Sequence, residues 1–265
     1  MVNVLPLCEH GKTMSSSARR NSEGTDRAVV RNPRVDLVSA AVRLLNEQGP
    51  DALQTRKIAA AAGTSTMAVY TYFGGMRELI AEVAEAGLRQ FAEAQAAVEQ
   101  SDDVIADFML TGMAYRQFAI DYPHMYRLMF GVTSAHGVNA PRRNMFDTSH
   151  VTPEHPSAAY LFRCVQRAMA AGRIDGSPED AAKVAATAAK FWTVMHGFVM
   201  LELAGFWGED GAAVGPVLAS MTTDLLVALG DTPERLNSSA AAAAGGGGAR
   251  GAGGNGYPIA ERYGS

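Results

Sequence analysis

The sequence has few cysteines and no long apolar run, and these two shortages exclude several classes of protein. Its only cysteines, Cys8 and Cys164, lie far apart and lack the spacing of zinc ligands, so neither a disulfide framework nor a metal centre is expected. The longest apolar stretch, Phe191 to Leu201, contains His196 and is shorter than the roughly 20 residues that a membrane span needs. We therefore predict a cytoplasmic protein without a membrane segment.

Motifs that carry catalysis or cradle a phosphate are also absent from the sequence. There is no HExxH, ExxH, Walker, GxSxG or Rossmann pattern, and the glycine-rich stretch at 245–254 has no predicted strand before it. His196 and Glu202 are too far around a helix to ligate one metal ion. We expect no enzyme activity, no cofactor and no metal. A helical enzyme or carrier stays open as an alternative, which retardation of promoter DNA would separate from a DNA-binding protein.

Charge is scarce and unevenly distributed. Charged residues make up 19% of the chain and the net charge is −4, with 48% hydrophobic residues, which is typical of a globular protein. Residues 27–80 carry seven basic and four acidic side chains, whereas residues 81–236 carry 11 basic and 19 acidic ones. A basic segment on an acidic body favours a small nucleic-acid reader joined to another domain, although ordinary scatter would give a similar difference.

Helical periodicity runs through the middle of the chain and predicts an all-α fold. Asn32-Pro33 and Ser177-Pro178 both read as helix starts, with a capping side chain followed by proline. The polar residues 1–26 and the Ala/Gly-rich residues 237–265 are expected to be disordered, because neither segment has enough apolar surface to bury. We predict helices near 33–48, 55–62, 65–72, 76–98, 102–121, 124–130, 157–171, 178–207 and 212–229.

The stretch from Thr55 to Phe73 has the pattern of a helix-turn-helix. The first helix starts at a capping Thr55 and stops at Gly63, which can adopt the left-handed conformation of a tight turn. Ser65 then caps a two-turn helix that buries Val69 and Phe73 and leaves hydroxyl and aromatic side chains outside. In DNA-binding proteins with this motif, the second helix lies in the major groove.

Arg34 to Leu79 resembles the N-terminal domain of the TetR/AcrR family of bacterial repressors. The matching residues are Ala40-Ala41, Leu44-Leu45, Gly49, Ile58-Ala59, Ala62-Gly63, Ser65, Val69-Tyr70, Phe73 and Leu79. The resemblance implies a three-helix DNA-binding domain at 27–80, followed by a helical-bundle domain at 81–236 that binds an effector and forms a dimer. One departure is Met76, which stands where the family usually has a lysine that contacts a phosphate. Arg77 is the candidate to replace it.

By this resemblance, a set of residues takes the places that contact operator DNA in the family. Packing against the first helix is the alternative for Tyr70 and Tyr72, and solvated arm residues are the alternative for Arg31 and Arg34. The set consists of Thr55, Arg56, Ser65, Thr66, Met67, Ala68, Tyr70, Thr71, Tyr72, Arg77, Arg31 and Arg34.

Phe191 to Leu203 is similar to the Trp–His–Gly signature in the C-terminal domain of one TetR subfamily, through Trp192, His196 and Gly197. A lone histidine on a helix face is more often a hydrogen-bonded core or structural residue than a ligand-binding one. We predict a hydrophobic effector cavity, with the reservation that Arg116 or Arg127 turned inward would favour a carboxylate. Its lining would be Met113, Phe118, Tyr122, Met125, Phe162, Met169, Trp192 and His196.

The last helices are expected to form the dimer interface, because a continuous apolar stripe has no later helix to cover it. That stripe comprises Val214, Val217, Leu218, Met221, Leu225 and Leu229. The sequence thus predicts a homodimeric repressor that binds double-stranded operator DNA and is released by a small, largely hydrophobic effector. An activator or a ligand-independent regulator of the same fold is the nearest alternative.

Overall fold

The computed structural model describes residues 32–131 and 156–247, and within them the chain is helical with no strand. A 3₁₀ turn at Pro50–Ala52 follows the first helix, and a π-helical turn at Val214–Ala219 runs directly into the ninth. The ten α-helices of these residues are α1 (Pro33–Gln48), α2 (Thr55–Ala61), α3 (Thr66–Phe73), α4 (Met76–Ala96), α5 (Val104–Asp121), α6 (Pro123–Met129), α7 (Pro156–Ala170), α8 (Ala181–Leu203), α9 (Ser220–Ala228) and α10 (Pro233–Gly247).

The start of α1 confirms the predicted cap, whereas the start of α8 does not. The Asn32 side chain accepts a hydrogen bond from the backbone N–H of Arg34 at 3.1 Å, with Pro33 as the first helical residue. At the second site, Ser177 and Pro178 form a turn, and Asp180 caps α8 by accepting from the N–H of Lys183 at 3.0 Å. Because Asp180 is the cap, α8 begins at Ala181, three residues after the start predicted at Pro178.

The boundary predicted at residue 80 falls inside α4. Leu79, Ile80 and Val83 are fully buried on consecutive turns, so the helix continues through this point. The helices α1 and α3 pack on α4, α2 packs on α1 and α3, and α1 also contacts α6. Gly49 ends α1 at φ +79°, where a Cβ would lie 3.3 Å from the His124 ring of α6. The division into domains at 27–80 and 81–236 therefore stays a prediction, because α4 and its buried residues continue without a break through residue 80.

Helical structure extends further toward the C-terminus than the sequence predicts. Residues from 237 onward were expected to lack structure, but α10 extends to Gly247 and packs against α5. Leu236 and Ser239 are buried, and the guanidinium of Arg173 donates to the Ser239 hydroxyl at 3.2 Å. These anchors, together with the high helix propensity of the alanines that follow, explain the helix. The predictions for residues 1–26 and 248–265 lie outside the described residues.

Candidate functional site

The helices α2 and α3 form a compact helix-turn-helix. The backbone N–H of Thr64 donates to the carbonyl of Ala59 at 2.9 Å, and Gly63 adopts φ +64° in the turn between the helices. Two details differ from the sequence prediction: Gln54 rather than Thr55 is the cap of α2, and Ser65 caps α3 without a side-chain hydrogen bond. The turn therefore depends on backbone geometry rather than on capping side chains.

Most of the predicted DNA-contacting residues of α3 lie on its outer surface. The exposed fractions of Met67, Tyr70 and Tyr72 are 68%, 55% and 43%, and Thr66 and Thr71 are exposed as well. Ala68 is the exception, because it is only 9% exposed and packs with Val69 in the core. Its position on the inner face of α3 speaks against contact between Ala68 and DNA, which stays a prediction.

Positive charge near α3 comes from neighbouring elements. Arg56 and Lys57 are exposed in the first turn of α2, with Thr55 half-buried beside them, and Arg77 is exposed at the start of α4. Met76 packs against the core instead. Arg34 is partly exposed, but it forms an ion pair with Glu82 and lies over the Phe73 ring at 5.2 Å. Arg34 therefore joins α1 to α3 and α4 here, and Arg31 lies outside the described residues.

The predicted effector residues do not form one cluster. Phe162 and Met169 belong to a core that also contains Ile105, Phe108 and Phe191. By contrast, Phe118 and Met125 are buried in the core that continues into α1, α2 and α3, and Tyr122, Trp192 and His196 lie at or near that core. Met113 is 41% exposed. The α7 residues thus pack in a different core from Trp192, and the single lining stays a prediction.

A hydrogen-bonded chain of aromatic side chains surrounds His196. The Tyr126 hydroxyl lies 2.7 Å from His196 Nδ1 and 2.8 Å from the Tyr115 hydroxyl, and Trp192 Nε1 donates to the Tyr115 hydroxyl at 3.2 Å. The Phe130 ring contacts both Trp192 and His196. This cluster, the Tyr115–Tyr126–His196–Trp192 network, joins α5, α6 and α8.

Burial sets the protonation states in this network. Desolvation lowers the pKa of His196 below its ordinary value and raises the pKa of both Tyr115 and Tyr126. A neutral imidazole with its proton on Nε2 accepts at Nδ1, which suits donation from the Tyr126 hydroxyl. Sequence reasoning found Trp192 and His196 but missed Tyr115, Tyr126 and Phe130. These partners could have been sought from the sequence, because a histidine on an apolar helix face requires a hydrogen-bond partner.

The two arginines named as possible anion ligands, Arg116 and Arg127, already have partners within the protomer. Arg116 makes two hydrogen bonds to Glu202, at 2.8 and 2.6 Å, and both side chains are largely buried. Arg127 donates to the backbone carbonyl of Leu203 at 2.7 Å, at the C-terminal end of α8. Neither guanidinium faces the Tyr115–Tyr126–His196–Trp192 network as an unpaired charge.

A recess between α4, α5 and α7 has a different character. Its lining includes the polar side chains of Gln95, Asp107 and Arg167, and Arg167 lies 2.9 Å from the Asp107 carboxylate. Cys164 also lines it, with a pKa raised by burial. None of the eight predicted effector residues borders this recess.

The stripe predicted for the dimer interface is partly buried within the protomer. Leu218 and Leu229 lie in the protomer's own cores, which speaks against contact with a partner, so the interface stays a prediction. Met221 is 47% exposed. Val214, Val217 and Leu225 are half-buried at the edge of those cores.

The described residues, 32–131 and 156–247, contain no candidate metal centre and one long apolar helix. No group of three or more His, Cys, Asp or Glu side chains in these ranges could hold a metal ion. One helix of the described chain, α8, is long and apolar enough to cross a membrane by length and composition. Core helices of globular proteins meet the same test, and α8 packs against α5, α7 and α9.

Comparison with known proteins agrees with this architecture. A family model described as bacterial regulatory proteins of the tetR family matches residues 37–83, and one described as the tetracyclin repressor-like C-terminal domain matches residues 108–225. The chain therefore belongs to the TetR family of helix-turn-helix transcription regulators. The Trp–His–Gly subfamily stays a prediction.

Solved structures share the fold over most of the chain. A protein of unknown function from Rhodococcus sp. RHA1 is 27% identical, with a TM-score of 0.57 over 76% of this chain and 97% of that one. RolR, solved without ligand, is 16% identical, with a TM-score of 0.52 over 78% of this chain and 95% of its own. A search of curated proteins found no match.

Proposed function

We propose that this regulator is a cytosolic homodimeric repressor that releases its operator when a small, largely hydrophobic effector binds the C-terminal domain. The observation that carries the proposal is the outer face of α3, where hydroxyl and aromatic side chains are exposed beside the cations Arg56 and Lys57. A helix of this kind fits the major groove, while basic residues at the start of the preceding helix neutralise phosphates.

DNA binding is tested with the promoter DNA upstream of the protein's own gene, by measuring affinity against salt concentration. Arg56→Ala and Tyr70→Ala weaken binding, and Arg56→Ala also lowers the salt slope by about one. Arg89→Ala is the matched control, because Arg89 is exposed further along α4. Unchanged affinity in both test variants would show that the recognition surface lies elsewhere.

A second copy of the chain is proposed to cover an exposed face of α8 and α9. On α8, Thr193, Gly197 and Leu201 are exposed along one stripe, and a Cβ at Gly197 would meet nothing within 4 Å. Met221 of α9 is exposed as well. Small residues allow a partner helix to approach closely, and Leu201 and Met221 supply the apolar surface that association would bury.

Sedimentation of single variants tests this interface. Met221→Glu gives monomers that no longer retain promoter DNA, because a charge would be buried between protomers. Val227→Glu is the control, since Val227 is 39% exposed and lies about 120° around the same helix. A Met221→Glu variant that sediments as a dimer contradicts the assignment.

Release requires two conformations with different spacing of the recognition helices. Paired α3 helices bind DNA when they lie about one helical turn of DNA apart, roughly 34 Å. An effector that binds a conformation with another spacing lowers operator affinity by its difference in affinity for the two states.

The hydrophobic character of the effector is supported by the partners that both arginines already have. Arg116 is neutralised by Glu202, and Arg127 is hydrogen-bonded to the Leu203 carbonyl, so the surroundings of Trp192 offer aromatic surface and the His196 imidazole. Trp192 fluorescence, isolated in a Trp207→Phe background, is expected to report binding of apolar compounds that also release DNA. A charged metabolite that does both, while a broad apolar panel does neither, contradicts the proposal.

A further inference from the structure

The outer face of α3 has no charged or amide side chain. Its exposed residues are Thr66, Met67, Tyr70, Thr71 and Tyr72. The strongest direct readout of bases uses paired hydrogen bonds from arginine or lysine to guanine, or from asparagine or glutamine to adenine. This helix can form neither pair, so its sequence preference must come from other contacts.

Met67 and Thr71 together give α3 an apolar patch. The two residues are four apart and therefore share a helix face. Met67 is the more exposed, at 68%, and its flexible thioether chain adapts to the surface that it meets. The Thr71 hydroxyl donates to the Met67 carbonyl at 3.0 Å, so its proton is used within the helix and its methyl group remains for contact.

Exposed basic side chains flank this patch, as contact with DNA phosphates requires. Arg56 and Lys57 on α2 and Arg77 on α4 are exposed on the two elements that flank α3. These side chains suit the phosphates on either side of a groove, and the one apolar group that a base edge presents in the major groove is the C5 methyl of thymine.

We infer that Met67 and Thr71 read thymine methyl groups, so that each operator half-site places A·T pairs under α3. The inference rests on the proposed DNA-binding role of this helix and names the base chemistry that it recognises. The hydroxyls of Thr66, Tyr70 and Tyr72 then form single hydrogen bonds that position the helix and carry little discrimination between bases.

The probe for the experiment is a duplex selected by the full-length protein from a random-sequence library. Each thymine of the bound site is replaced in turn by deoxyuridine, which removes the methyl group and leaves base pairing intact. One or two positions in each half-site are expected to lose about fourfold in affinity, the value of one buried methyl group.

Two substitutions at Thr71 separate its methyl from its hydroxyl. Thr71→Ser keeps the hydroxyl and removes the methyl, so one deoxyuridine position should lose its effect. Thr71→Val keeps the methyl, and sensitivity at that position should be preserved. Met67→Ala should abolish the effect at a neighbouring position, whereas the control Arg56→Ala should weaken thymine and uracil duplexes by the same factor.

Three results would overturn the inference, and they are distinguishable. A specific duplex whose affinity is unchanged by every deoxyuridine substitution rejects methyl readout while DNA binding stands. Equal behaviour of Thr71→Ser and Thr71→Val rejects the role of Thr71 in the same way. If no duplex is retained from the library, the inference and the proposed DNA-binding function fail together. Circular dichroism of each variant confirms that it is folded, since both substituted side chains are exposed.

Discussion

The helix-turn-helix and the domain that follows it use polar side chains in opposite ways. In α3 the hydroxyl and aromatic groups point outward, and the Thr71 hydroxyl bonds four residues back along its own helix. In the C-terminal domain several polar side chains are buried or half-buried and bond to partners distant in sequence, as for Arg173 and Asp231, 58 positions apart, and Tyr126 and His196, 70 apart. The exposed face of α3 can therefore be predicted from local sequence, whereas the long-range bonds of the C-terminal domain form only when the chain folds.

Breaking the Arg173–Asp231 ion pair is the strongest test of this comparison. Asp231→Asn is expected to lower the free energy of unfolding by about 3 kcal/mol, because it removes the nearest counter-charge of the buried Arg173 guanidinium and leaves only the Asp103 carboxylate, 3.7 Å away. The Asp231 carboxylate is fully buried and receives hydrogen bonds from Arg173 Nε at 3.0 and 2.9 Å. Urea denaturation followed by circular dichroism measures the loss.

The matched control is the exposed pair of the DNA-binding region. Glu82→Gln removes the partner of Arg34, whose side chain is 48% exposed, and should change the free energy of unfolding by less than about 1 kcal/mol. Equal losses in the Asp231→Asn and Glu82→Gln variants would mean that the two regions do not differ in how they use charge.

Removing the hydroxyl of a buried or an exposed tyrosine tests the same difference between the two regions, with a smaller expected change in stability. Tyr126→Phe removes the hydroxyl between Tyr115 and His196 and is expected to cost about 1–2 kcal/mol of stability. Tyr70→Phe, on exposed α3, should stay within about 0.5 kcal/mol of the parent protein. Urea titrations of both variants give the comparison, and a silent Tyr126→Phe would show that the network is not structural.

The smallest expected effect is a dependence of stability on pH. Burial lowers the pKa of His196 in the folded protein, so the unfolded chain takes up this proton first as the pH falls. The free energy of unfolding should therefore be fully retained above the ordinary value of 6.5 and decline below it, levelling once the folded histidine also protonates.

His196→Gln isolates this contribution, because glutamine still accepts from Tyr126 but does not titrate. The difference in unfolding free energy between the parent and this variant should shrink between pH 7.5 and pH 5.5. A difference that stays constant across this range would place the pH dependence on other groups.

The sequence predicted helices and their exposed faces better than it predicted what those faces meet. Nine of the helices lie close to their expected positions, because capping and apolar spacing are local properties. The predicted effector lining is different, because Phe162 and Met169 pack in another core than Phe118 and Met125. Spacing shows that residues share a helix face, but it does not show which of two cores that face packs against.

Amino-acid composition did not predict the helix at Pro233–Gly247. An Ala/Gly-rich run has little apolar surface to bury, yet α10 forms because Leu236 and Ser239 anchor it to the protein. The Ser239 hydroxyl bonds to the Asp103 carboxylate at 2.9 Å, across 136 positions of sequence. Contacts at that separation leave no periodic signal.

The Ser239 hydroxyl also determines where the polypeptide can be shortened for crystallisation or fused to a tag. It receives hydrogen bonds from Arg173 and donates to Asp103, the residue that caps the start of α5. A clone that stops at residue 236, where composition alone would place the boundary, deletes this link between the last helix and the first turn of α5. Cloning boundaries and cleavable tags therefore belong after Gly247, where the described helix ends.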